Sequence, residues 1–148
     1  MTATNHALTG AVVALSVKQP FLAVLLAFLS HFALDAVPHF GVPPGSFELR
    51  KYAKFLVADF STLFLSVILI AVIYADNFWV ILLCMATAAA PDAFWWKYRK
   101  NLEEDSKEGV DAINRFHWWI QWKEFPQGIF VELAWLVFLI SLMAMLKR

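Results

Sequence analysis

The sequence predicts an all-α fold: a polytopic transmembrane bundle of about five helices, the first of them short, with an interfacial amphipathic helix between the fourth and the fifth. Two observations lead there. Of the 148 residues, 61% are apolar and 16% are charged, whereas a soluble domain is nearer half apolar and a quarter charged. Four apolar runs, Pro20 to Val37, Phe55 to Ala75, Phe78 to Trp96 and Ile129 to Leu146, match the roughly 17–25 residues that a bilayer crossing takes.

The elements follow in order. Ala3 to Val17 is apolar but short for a crossing, and Met1 to Leu8 has no Lys or Arg. It therefore lacks the positive leader of a secretion signal and reads as part of the mature chain. Lys18-Gln19-Pro20 separates it from the second helix, because proline disfavours helix in the residue before it and suits a first turn. That second helix is expected over 20–37, since Pro38, Gly41, Pro43, Pro44 and Gly45 follow. The third and fourth helices, over 52–75 and 78–97, are parted by Asp76-Asn77 alone and so form an antiparallel pair. Lys97 to Glu108 is strongly charged and reads as a solvated loop. Val110, Ile113, His117 and Ile120 then recur at helical spacing among Phe116, Trp118, Trp119 and Trp122, which predicts an interfacial helix within 110–123. The last helix is expected over 127–146. The chain reads as one domain without internal repeats.

The 12 basic and 12 acidic side chains balance, which argues against a nucleic-acid partner. The single cysteine, Cys84, sits mid-run as a small hydrophobe. If five helices alternate, Arg50, Lys51, Lys54, Lys97, Arg99, Lys100, Lys107, Arg115 and Lys123 share one face with the N-terminus, and Lys18, Lys147 and Arg148 take the other. By the positive-inside rule the first face is cytoplasmic, in the cell or inner membrane.

Ionisable groups within apolar runs are costly to bury, and they usually face the bundle interior and mark function. His6, His31, Asp35, Asp59, Asp92 and Glu132 are such groups. Under antiparallel alternation all of them fall within roughly 12 Å of the basic face. His31 and Asp35 are four apart and share a helix face, a spacing by which helical residues ligate a metal. Pro38 lets His39 fold back toward them. The expected metal ligands are therefore His6, His31, Asp35, His39, Asp59, Asp92 and His117. Imidazole and carboxylate without thiolate suit a divalent ion, zinc first, with manganese and iron as alternatives, and the set has room for more than one.

Asp59 and Glu132 are the expected acid–base groups, and Arg50, Lys54 and Arg99 the expected contacts to an anionic headgroup. Asp59, flanked by Val57, Ala58 and Phe60, has little bland explanation, but several of the others have one. His31 and Asp35 can be a hydrogen-bonded pair, Pro91-Asp92 a helix restart, and His117 part of an aromatic belt. Glu132 can pair with Arg50, Lys54 or Arg99.

Asn5-His6 with Gly10, His31-x-x-x-Asp35-x-x-Pro38-His39, and Pro91-Asp92 near a helix end resemble the prokaryotic membrane-bound metal-dependent hydrolases, the YdjM-like group. The resemblance implies a small polytopic fold with His/Asp metal ligands and a hydrolase activity. It does not extend to His117 or Glu132, because the His-Arg-Gly and Thr-His-Ser segments of that group are missing. The Pro-Ser-Gly-His motif of phosphohistidine lipid phosphatases is missing too.

The function expected is metal-activated hydrolysis of a phosphate ester or phosphodiester in a lipid or another substrate presented at the interface. The partners are then the bilayer and that substrate. The alternatives are an ion, proton or metal transporter, for which a homo-oligomer could complete the path across the membrane, and a structural protein glued by buried polar groups.

Overall fold

The computed structural model describes residues 1–41, 49–98, 101 and 108–147. Its helices, among the described residues, are α1 (Ala3–Ser16), α2 (Pro20–Asp35), α3 (Leu49–Ile73), α4 (Phe78–Ala93), α5 (Ala112–Ile120) and α6 (Ile129–Leu146). The all-α expectation is met. Among the described residues, two helices are long and apolar enough to cross a membrane, Arg50–Ile73 and Pro126–Leu146, each with a mean hydropathy of 2.5. The others are shorter: α1 has 14 residues, α2 and α4 have 16 each. At about 1.5 Å per residue they span roughly 21–24 Å, against about 30 Å of hydrocarbon.

Local chemistry sets the helix ends. The Thr2 hydroxyl caps α1 by accepting from the Asn5 amide, and the Gln19 side chain caps α2 ahead of Pro20 at its first turn. α2 stops at Asp35, two residues before the expected end, and α3 starts at Leu49 rather than residue 52. Pro91 lies inside α4, which ends at Ala93, four residues before the expected end. It sits in the last turn, after which the chain tightens into a 3-10 segment over Phe94–Tyr98. Asp111 accepts from the Ile113 and Asn114 amides and so starts α5. Residues 43–45 and most of the charged 97–108 stretch lie outside the described residues.

One feature of the backbone was not expected. His39–Phe40 (β1) and Glu124–Phe125 (β2) form a parallel two-strand bridge, with His39 opposite Glu124 and Phe40 opposite Phe125.

The least hydrophobic of the five longer helices, α1, occupies the middle of the molecule. α1 packs against α2, α3, α4 and α6, and Ala7, Leu8 and Ala11 join Ile70, Ile81, Met85, Leu139 and Met143 in the core. Small residues make this position accessible. A Cβ on Gly10 would lie 2.4 Å from the Cys84 carbonyl oxygen, so α1 and α4 cross with backbone nearly in contact. α3 is the outlying helix, and its outer side exposes Val57, Phe60, Phe64, Leu65, Leu69 and Val72. An exposed apolar face of this kind marks a surface that meets a membrane or another protein.

Candidate metal centre

α1, α2, α4 and α5 bring their polar side chains to one end of the bundle. The ligand atoms of His6, His31, Asp35 and Asp92 all lie within 4.8 Å of one another. His6 Nε2 is 3.0 Å from Asp35 Oδ1 and 3.7 Å from Asp92 Oδ2. His31 Nε2 is 3.1 Å from Asp35 Oδ2 and 3.6 Å from Asp92 Oδ1. His117 joins from α5, with Nε2 2.8 Å from Asp35 Oδ2, 3.6 Å from Asp92 Oδ1 and 2.9 Å from His31 Nε2. The helical i,i+4 spacing delivers His31 and Asp35 to the same point, as the sequence implied.

The group can hold a metal ion. Ligands about 2.1 Å from a zinc at tetrahedral angles lie roughly 3.4 Å apart, and the separations above bracket that value. His31 Nδ1 is 2.8 Å from the Ala88 carbonyl. A carbonyl only accepts, so Nδ1 carries the proton and Nε2 presents a lone pair to the cluster; this is the arrangement that orients metal-bound histidines. His6 is fully buried and stacks on His31 at 4.0 Å; its Nδ1 has no hydrogen-bond partner, and its Nε2 meets Asp35 Oδ1 at 3.0 Å without hydrogen-bond alignment. An orphaned buried nitrogen is expensive, and a cation among these ligands would satisfy Nε2. Asp35, also fully buried, is already in a cationic setting, because the Met1 amino group lies 2.7 Å from Oδ1.

Comparison with protein-family models, with curated proteins and with solved structures returns no match to this chain.

The other expected site residues lie elsewhere. Asp59 accepts from the Ala3 and Thr4 amides at 2.9 and 3.2 Å. Glu132 accepts from the Thr2 amide at 3.2 Å, the Thr2 hydroxyl at 2.9 Å, Asn5 Nδ2 at 2.6 Å and the Phe40 amide at 3.3 Å. Both carboxylates thus meet the positive N-terminal end of α1, where backbone N–H groups lack partners. They share the end of the bundle with the cluster but are not part of it. His39 is also apart: its Nδ1 donates to the Val37 carbonyl at 2.7 Å, and its Nε2 faces Glu124 at 3.4 Å. Arg50 and Lys54 are exposed at the start of α3, and Arg99 lies outside the described residues.

Gln121 is a site residue that the sequence reading passed over. Its Nε2 lies 3.4 Å from Asp35 Oδ2 and 3.3 Å from His117 Nε2. The four-residue spacing from His117 was the available signal.

A cavity of about 1010 Å³ opens beside the cluster. Asp92, His117 and Gln121 form part of its wall, with Phe55 and Leu63 of α3 and Trp119 of α5 among the apolar contributors. Along α4 it meets only alanines, Ala86, Ala89, Ala90 and Ala93, apart from Asp92. Asp92 retains 22% side-chain exposure where the other α-helical cluster residues have 0–8%, so the cluster communicates with the cavity through it.

Proposed function

We propose that this chain is a membrane-embedded, metal-dependent hydrolase of the kind its motifs resemble, cleaving a phosphate ester or phosphodiester of a lipid or another substrate presented at the interface. His6, His31, Asp35, Asp92 and His117 hold the divalent ion, with zinc favoured by an all-nitrogen-and-oxygen ligand set. A bound ion of this type polarises a phosphoryl oxygen and lowers the pKa of its water. The observation that carries the reading is the convergence of His6, His31, Asp35 and Asp92, whose ligand atoms all lie within 4.8 Å of one another at a largely buried point.

The cavity supports the choice of a lipid. It is large enough for acyl chain, and its alanine wall leaves room for a chain to lie against α4. The five longer helices sit in the membrane as one bundle, α5 and the turn after it lie in the headgroup layer through Ile113, Trp119 and Trp122, which are 65–70% exposed, and the cluster faces the cytoplasm with the basic residues.

Purified protein in detergent, assayed on a panel of headgroup esters, tests the reading. Hydrolysis that a chelator abolishes, that added zinc restores and that Asp35→Ala removes is the expected result. Activity indifferent to chelation, or none on any ester, overturns it.

A further inference from the structure

Outside the metal cluster, the β1–β2 bridge sets a buried histidine against a carboxylate that reaches the same cavity. His39 is fully buried, and its Nδ1 is committed as donor to the Val37 carbonyl at 2.7 Å. Its Nε2 is buried without a hydrogen-bond partner and lies 3.4 Å from Glu124 Oε1. A neutral imidazole with Nδ1 protonated has a bare lone pair at Nε2, and an ionised carboxylate has only lone pairs. Two such atoms 3.4 Å apart repel each other, and a proton placed between them satisfies both; the Glu124 side chain keeps 24% exposure, which opens that position to the cavity.

The backbone fixes this meeting independently. His39 and Glu124 are register partners in the bridge, and the His39 amide donates to the Lys123 carbonyl at 3.3 Å. Gly41 supplies the clearance, since a Cβ there would come within 2.5 Å of the Glu124 side chain. Gly128 does the same behind His39, where a Cβ would meet the His39 carbonyl carbon at 2.1 Å. Glu124 lines the cavity that Asp92 and His117 also line, whereas Asp59 and Glu132 are engaged by amides of α1.

We infer that Glu124, positioned by His39, is the general acid–base of the reaction and delivers a proton to the leaving alcohol of a phosphoester bound in the cavity. The inference rests on the hydrolase reading. Hydrolysis forms a P–O bond to a water oxygen and breaks the P–O bond to the alcohol. The Glu124–His39 pair gives its proton to the departing alkoxide, the water gives up one proton as it attacks, and the pair recovers that proton, so it ends as it began. Glu124 is then a catalytic residue, His39 a positioning residue.

The leaving group provides the test, because an alkoxide needs protonation and a nitrophenolate does not. Two long-chain phosphodiesters that differ only in the leaving alcohol, glycerol against p-nitrophenol, are assayed with zinc-loaded wild type, Glu124→Gln and His39→Gln, with metal content measured on each. Glu124→Gln is expected to lose roughly a hundredfold or more on the glycerol ester and far less on the nitrophenyl ester, with its zinc retained. His39→Gln shows the same bias more weakly. Equal losses on the two esters, no loss on either, or a loss of zinc from Glu124→Gln overturns the assignment while leaving the hydrolase reading intact. A wild type that cleaves neither ester removes the reading and the assignment together.

Discussion

His31 and His117, 86 residues apart in sequence, face each other through their Nε2 atoms at 2.9 Å. The His31 Nδ1–H is spent on the Ala88 carbonyl, so His31 offers a lone pair at this contact. Such an approach is stable when a proton or a metal ion lies among the ring nitrogens and the Asp35 and Asp92 oxygens. With a metal there, His117 contributes as a ligand and α5 is fastened to the bundle by the ion. His117→Ala is therefore expected to weaken zinc binding at least tenfold, the scale seen when even an outer partner of a metal ligand is lost, read by competition with a coloured chelator.

Asp59 and Glu132 bind the first turn of α1, and α1 in turn carries His6 into the cluster. Loss of a hydrogen bond to a charged group costs about 1.5–3 kcal/mol, so Glu132→Ala, which leaves Asn5 Nδ2 only its bond to the backbone carbonyl of residue 132, is expected to lower thermal stability in detergent by an amount of that order. Zinc stoichiometry at saturating metal should persist. A variant that unfolds no earlier than wild type contradicts this placement.

Gly10 determines how closely α1 approaches α4. A methyl group there meets the Cys84 carbonyl, a backbone atom with no means of turning aside. Overpacking of this kind costs about 1–3 kcal/mol. Gly10→Ala should lower the unfolding temperature and, by shifting His6, also weaken metal binding; Ala14→Gly on the same helix serves as a comparison that adds no atoms.

Asp111 lies outside the two helices that are long and apolar enough to cross a membrane. The Tyr98 hydroxyl, 2.5 Å away, holds its carboxyl well below the ordinary value of 3.8, with the Asn114 backbone and side-chain amides acting in the same direction. A depressed folded value means that the stabilisation is complete above the unfolded value and is lost as pH falls through the folded one. The tryptophan fluorescence of α5 should therefore hold steady through the usual carboxylate range and change only at lower pH. Tyr98→Phe should move that change upward. A transition at the ordinary carboxylate value in wild type would contradict the contact.

Much of the site was legible because it obeys local rules. His31 and Asp35 were placed by helical spacing, and the polar ends of α1, α2 and α4 were brought together by antiparallel alternation. What escaped depended on contacts between distant segments. The sequence put His39 near the metal because Pro38 ends a helix, but the pairing of residues 39–40 with 124–125 draws it to Glu124. Asp59 and Glu132 looked catalytic because they are acids in apolar runs. Their role as acceptors for amides of α1 depends on where that short helix sits, and its modest hydrophobicity gave no sign of a central position. Gln121 went unnoticed because an amide near a membrane surface needs no special account until Asp35 is found beside it.

Metal analysis bears most directly on the central claim, that His6, His31, Asp35, Asp92 and His117 form a metal centre. Elemental analysis of the protein purified in detergent should find at least one divalent ion per chain, zinc before manganese or iron, and Asp35→Ala and His31→Ala should each lose it while remaining folded. A wild-type protein that is folded and carries no stoichiometric metal, even after incubation with zinc and removal of the excess, would contradict it.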